Sequence, residues 1–180
     1  MRADKTRNQD SVLAAAERLF DTADDPDAVS MDAIAAAAGV GKGTLFRGFG
    51  DRLGLVRALY VKRITEELDT LPTGRGLDPS DEAVELLTRM WRFKVRNRGL
   101  ALALERAGRG SPYRNESYER FHAEITRLLV AAGMGPADFL AHALIAAVRA
   151  DLVEHLRDQP EADTEAGLRA LVHAVFAGTP

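Results

Sequence analysis

Ser30-Met31-Asp32-Ala33-Ile34-Ala35-Ala36-Ala37-Ala38-Gly39-Val40-Gly41-Lys42-Gly43-Thr44-Leu45-Phe46-Arg47-Gly48-Phe49 is the stretch on which the fold turns. Ser30 has a hydroxyl able to accept from an early backbone N–H, so it reads as the N-cap of a short helix through Ala38. Gly39 ends that helix, supplying a positive φ that other residues enter at a cost. A second short helix, about Gly41 to Arg47, follows almost at once, and Gly48 and Gly50 close it before Asp51 caps a longer one. Ile34, Val40 and Leu45 are spaced to form a small shared core, with Ala35 and Ala38 letting the backbones approach. Two short helices around a tight glycine turn make a helix-turn-helix, and its geometry exposes one face of the second helix.

Outward from this stretch the periodicity stays helical. Apolar residues recur at three- and four-residue spacings, alternating Val, Ile and Thr runs are missing, and alanine raises the local helix propensity. A first helix is expected from Thr6 to Thr22 with Val12, Ala16, Leu19 and Phe20 inward, closed by an Asp24-Asp25-Pro26-Asp27 loop. The long helix from Asp51 to about Leu71 carries Leu53, Val56, Tyr60, Ile64 and Leu68 as its stripe. Pro72, Gly74, Gly76 and Pro79 mark the clearest linker. Beyond it helices are expected at 81–98, 100–107, 113–132, 136–158 and 162–177, separated by Gly- and Pro-bearing breaks. The fold class is therefore all-α with about nine helices: a three-helix helix-turn-helix domain over residues 1–52, then a larger helical domain over 53–180.

Composition narrows the function classes. The chain has 180 residues, 46% hydrophobic, with no cysteine, which excludes a disulfide framework and a thiolate zinc site and fits a cytoplasmic protein. The apolar runs Ile34–Val40 and Ala141–Val148 are far shorter than the ~20 residues that cross a bilayer, and no secretory signal is visible at Met1. His122, His142, His155 and His173 form no HExxH or other close pair, so no metal and no cofactor are expected. Net charge is −3, so any nucleic-acid role must come from the placement of charge.

The pattern of an apolar first helix ending at Leu19-Phe20, then Ile34-Ala35, Ala38-Gly39-Val40, Gly43-Thr44-Leu45-Phe46, Phe49 and Leu53, resembles the TetR family of one-component transcriptional regulators. The resemblance covers about Val12 to Tyr60; the remainder agrees in helix count and length. It implies a DNA-binding head, a homodimer and an effector-binding second domain. It departs from the family pattern where Phe46 replaces a usual tyrosine, Gly48 a frequent histidine and Arg52 a common lysine, and where the 23–27 loop has no glycine. Phe46 lacks the hydroxyl that hydrogen-bonds phosphate at that position in relatives.

Candidate DNA-binding residues are Ser30, Gly41, Lys42, Gly43, Thr44, Arg47 and Arg52. Lys42 and Thr44 are placed for base edges or phosphates, and Gly41 and Gly43 permit close backbone approach. Ser30 and Arg52 stand at helix starts, where backbone N–H groups favour phosphate. Arg2, Lys5 and Arg7 form a basic start suited to the backbone or an adjacent minor groove. Phe46 and Phe49 read as core, since phenylalanine gains most by burial. Gly41-Lys42-Gly43-Thr44 is no phosphate-cradling loop. GxxxxGK[ST] needs glycine where Ala36 stands, serine or threonine where Gly43 stands, and a preceding strand.

In the second domain Trp91, Tyr118, Phe121, His122 and Arg106 are candidates for an effector pocket, with Tyr113, Arg96 and Glu105 as further polar groups. The last two helices, carrying Phe139, Leu140, Leu144, Val148, Leu152 and Leu156, then Leu168, Leu171, Val172, Val175 and Phe176, are expected to build a homodimer seam. The expected function is a ligand-responsive regulator, a repressor released from palindromic operator DNA by a small-molecule effector, with no catalytic residues. The alternatives are a helical interaction module or an enzyme without DNA binding, the latter lacking any GxSxG-type nucleophile motif.

Overall fold

The computed structural model describes residues 2–23, 25, 28–70, 76–106 and 116–178, with the side chains of residues 2–5, 105, 106 and 116 also outside the description. Every regular element among the described residues is helical: α1 (Arg2–Thr22), α2 (Met31–Ala38), α3 (Lys42–Phe49), α4 (Arg52–Asp69), α5 (Pro79–Arg96), α6 (Arg98–Arg106), α7 (Glu116–Ala131), α8 (Ala137–Ala146), α9 (Ala150–His155) and α10 (Glu161–Phe176). None is long and apolar enough to cross a membrane. Most of the acidic loop (Asp24, Pro26, Asp27), the linker over 71–75, Tyr113 and the 108–112 break lie outside the described residues.

The chain divides into two compact units. One comprises Met1–Arg63 with Gly99–Ala107, the other Ile64–Arg98 with Gly108–Pro180. By packing, then, residues 53–63 and α6 go with the head, whereas the motif alone divides the chain at 52/53.

In the first unit Val12, Ala16 and Phe20 from α1, Ile34 and Ala35 from α2, Leu45 from α3, Leu55, Val56 and Leu59 from α4 and Leu100 from α6 share one core. Of the stripe expected on α4, Val56, Ile64 and Leu68 are buried, and Leu55 and Leu59 join them. Leu55 and Leu59 are its deepest members, while Leu53 and Tyr60 are half-buried. Polar side chains tie α4 to α1 at the rim. Lys62 Nζ donates to Glu17 Oε2 at 2.9 Å, Arg63 Nε to Glu17 Oε1 at 3.2 Å, and Arg63 also reaches Asp21 at 2.7 Å.

This rim makes a pH prediction. The Lys62 hydrogen bond, aided by the charges of Lys62 and Arg63 and opposed by partial burial, holds the Glu17 carboxyl below its ordinary value of 4.5. A depressed carboxyl stabilises the folded state fully above the unfolded value and loses that contribution as pH falls through the folded one. Glu17→Gln is therefore expected to lower stability near neutrality by less than about 1 kcal/mol, the pair being partly solvated. In urea unfolding the gap to wild type should close well below pH 4.5; a gap unchanged by acid counts against the pairing.

In the second unit α5 supplies Val84, Leu87, Met90, Trp91 and Phe93 to a core shared with Phe121, Ile125, Leu128 and Leu129 of α7, Leu144 and Ile145 of α8, Val153 of α9, and Leu168 and Val172 of α10. Val95, one turn beyond Trp91 on α5, is 43% exposed. The helix expected over 136–158 is two helices. After Ala146 the bonds tighten to the i−3 pattern, Val148 N–H to Ile145 O and Arg149 N–H to Ala146 O, and Arg149 is extended (φ −65°, ψ 149°). No glycine or proline causes this break. Buried Val148, Ala150 and Val153 favour it, and Lys94 Nζ satisfies the freed Val148 carbonyl at 2.6 Å.

Candidate nucleic-acid interface

The turn between α2 and α3 is built from its caps. Ser30 is extended, and its Oγ accepts from Ala33 N–H at 3.1 Å. Gly39 sits in the left-handed region (φ 66°), with its own N–H bonded to Ala36 O and Val40 N–H bonded to Ala35 O. These are the two bonds of a Schellman ending, and an L side chain at Gly39 would cost about 1–2 kcal/mol. Val40 then turns back against the core, and Gly41, extended, accepts from Thr44 and Leu45 N–H to start α3.

Within α3 Leu45 is the buried residue, at 1% exposure. Phe49, four residues on, shares its face and packs on the same core. Phe46 does not. It is 42% exposed, correcting its reading as core: each residue advances the helix by about 100°, so the neighbour of a buried Leu45 is carried off the core face.

The outward side of α3 carries Lys42, Gly43, Phe46 and Arg47, all exposed, with Thr44 half-buried. Lys42 Nζ lies 2.7 Å from Asp32 Oδ2 on α2, both side chains more than 60% exposed (62% and 64%). Arg47 folds along its own helix, Nε donating to Gly43 O at 3.1 Å and an outer nitrogen to Thr44 Oγ1 at 3.4 Å. Arg52 is half-buried; its Nε donates to Val29 O at 3.2 Å and its guanidinium lies 5.7 Å from the centroid of the Phe20 ring. It braces the start of α4 to the residue before Ser30. Gly41, Gly43 and Gly48 have open space where a Cβ would stand, so no contact among the described residues requires a glycine there.

Asp32 and Gly54, which the sequence reading passed over, and Gly50, which it takes only as a helix end, shape this surface. Asp32 holds Lys42. Gly50, at φ 79° and ψ −73°, makes a γ-turn closed by Asp51 N–H to Phe49 O at 3.0 Å. Gly54 lies so close to the end of α3 that a Cβ would stand 2.0 Å from Phe49 O, and its N–H donates to Asp51 Oδ1 at 2.7 Å. Only the positive φ at Gly50 had a local sequence signal; the others are long-range juxtapositions.

In the second unit Trp91 and Phe121 are core residues at 6% and 3% exposure. Tyr118 and His122 are brought together one turn apart on α7, their rings stacked at 6.1 Å, and His142 of α8 joins them. Arg106 has its side chain outside the description.

The first unit is thus a helix-turn-helix head with a mostly polar and glycine-lined second helix facing outward. Residues 12–59 match the family described as "Bacterial regulatory proteins, tetR family". An uncharacterized HTH-type transcriptional regulator of Mycobacterium tuberculosis is 49% identical over 59 residues, 33% of this chain but 28% of that protein's length. Among solved structures, a transcriptional regulator from Rhodococcus sp. Rha1 is similar with a TM-score of 0.75 at 17% identity, covering 96% of this chain and 99% of that one. A TetR transcriptional regulator from Streptomyces coelicolor is similar with a TM-score of 0.53 at 29% identity, covering 94% and 97%. The all-helical fold beyond the head is shared with these structures.

Proposed function

We propose that the chain is a cytoplasmic DNA-binding transcriptional regulator that grips operator DNA as a homodimer and is released from it by a small-molecule effector, acting as a repressor. The observation that carries this reading is the outward side of α3. A helix of eight residues places glycine, a weaker helix former than alanine, at its second and penultimate positions, Gly43 and Gly48. Nothing among the described residues needs them there. A surface that must lie against a groove does. Lys42 and Arg47 flank those glycines, and Ser30 and Arg52 stand at the neighbouring helix starts. The match of residues 12–59 to bacterial regulatory proteins supports a regulator over the enzyme alternative.

One such helix reads only a few base pairs, so two copies about one helical turn apart are required for specificity. Exposed Phe139 on α8 (68%), Leu152 on α9 (36%) and Leu171 on α10 (39%) supply the apolar contact for a dimer, while Leu144, Val148, Leu168 and Val172 are used within the chain. For the effector, Trp91 offers a buried indole Nε1 that has no hydrogen-bond partner among the described residues, an orphan donor that a ligand oxygen would satisfy. α4 contributes residues to both units, and an effector that favours a dimer with mismatched heads would release the operator.

Selection of bound fragments from random DNA tests this directly. The expected product is a two-fold symmetric site with half-sites about 10 base pairs apart. Its log affinity should fall linearly with log salt, by roughly 0.9 per phosphate contacted. No enrichment, or an association indifferent to salt, overturns the reading.

A further inference from the structure

We infer that His122, His142 and Asp138 form a binding site for a borderline divalent transition-metal cation of the zinc, cobalt or nickel kind. The three residues are separated in sequence, yet α7 and α8 bring one potential ligand atom from each within 4.8 Å of the others. Asp138 and His142 are four apart on one face of α8, so their side chains converge. His122 approaches from α7. Its Nε2 lies 3.5 Å from Asp138 Oδ1, and the Nε2 of His142 lies 4.0 Å from Asp138 Oδ2, so both imidazoles address one carboxylate. A tetrahedral cation bound at ~2.0–2.1 Å would draw such edges to roughly 3.3 Å. That closure is within reach of an Asp138 side chain that is 81% exposed.

The surroundings favour metal ligation over mere ring packing. His142 Nδ1 lies 2.5 Å from the Tyr118 hydroxyl. With the metal on Nε2, Nδ1 carries the proton and donates it to the Tyr118 oxygen, an outer contact that fixes ring orientation and tautomer. His122 is held with its ring centroid 4.1 Å from that of His142. Its Nε2 lies 3.2 Å from the Asp138 carbonyl oxygen. That hydrogen bond needs the proton on Nε2, so metal binding exchanges it for the cation: Nε2 then gives its lone pair to the metal and the ring proton moves to Nδ1. Two imidazoles and one carboxylate suit borderline cations. Magnesium and calcium prefer all-oxygen shells, and copper(I) prefers sulfur. Three protein ligands leave a fourth position for water or for an anionic group of a second ligand. The site stands whether or not α3 reads DNA.

The test uses the full chain without a polyhistidine tag, stripped with a chelator and titrated with Co²⁺, then with Zn²⁺ in competition. One Co²⁺ per chain is expected, with visible absorption that Zn²⁺ abolishes. His122→Ala and His142→Ala should each weaken binding by about 100-fold or more, and Tyr118→Phe by about 10-fold. Asp138→Asn, at an exposed position that can change without unfolding the unit, should also weaken it by about 10-fold while helix content is unchanged. His155→Ala, an exposed histidine on α9, should bind as wild type does. Binding that survives the His122 and His142 changes, or that is weakened equally by His155→Ala, or no saturable binding of either cation at micromolar concentration, overturns the site.

Discussion

Gly54→Ala is expected to lower the thermal midpoint of the first unit by roughly 12–24 °C, from a loss of about 3 kcal/mol at 4–8 °C per kcal/mol for a unit of this size. An added Cβ would stand 2.0 Å from Phe49 O and 3.2 Å from the Phe49 carbonyl carbon. The obstacle is backbone, and it is pinned. Gly50 N–H binds Phe46 O at 2.8 Å and Asp51 N–H binds Phe49 O at 3.0 Å, so the end of α3 cannot yield alone. Relief means lifting the start of α4 away from α3, which opens the packing of Leu45 and Leu55. In an unobstructed helix the same substitution has the opposite sign, a gain of about 0.5–1 kcal/mol. Gly167, exposed within α10 with nothing near its missing Cβ, provides that contrast. Gly54→Ala unfolding at or above the wild-type temperature would falsify the close approach.

That residue also marks how far the sequence could be read. The caps, the Gly39 ending, the break at Gln159-Pro160 and the burial of Ile34 and Leu45 were legible because each has a local cause: a hydroxyl at a helix start, a residue permitted at positive φ, a proline, a 3.6-residue period. Gly54 was not, since its constraint comes from a different helix. The interruption at Val148 was not, because alanine and valine carry no stop signal and the new ending is stabilised by Lys94 from α5. Phe46 is exposed because its phase relative to buried Leu45 carries it off the core, which its hydrophobicity alone does not reveal. The histidine cluster escaped for the same reason as Gly54: Tyr118 and His142 are 24 residues apart in sequence, and only the packing of α7 on α8 joins them.

Lys42→Ala combined with Arg47→Ala is expected to reduce operator affinity on the order of 10²–10³-fold while leaving the fold intact. Both side chains are exposed and neither contributes to the head core. In a dimer the two changes remove four cationic groups. A phosphate contact adds close to one unit to the salt exponent, which near physiological salt is about 1 kcal/mol, and a base-edge contact is worth about 1–3 kcal/mol. The slope of log affinity against log salt should therefore fall by up to about 4 units if all four meet phosphate, and by less if Lys42 or Arg47 reads a base. The free protein adds a sharper arm. Lys42 is paired at 2.7 Å with Asp32, whose carboxylate projects from α2 beside the same surface. Binding DNA must exchange that partner for a phosphate and bring the carboxylate toward the polyanion. Asp32→Asn is accordingly expected to tighten binding several-fold, most visibly at low salt, where screening is weakest. On the proposed function, an acidic residue that restrains Lys42 would keep non-specific attraction low. Double substitution without effect on affinity, or Asp32→Asn weakening it, would show that the surface around α3 is not where the duplex lies.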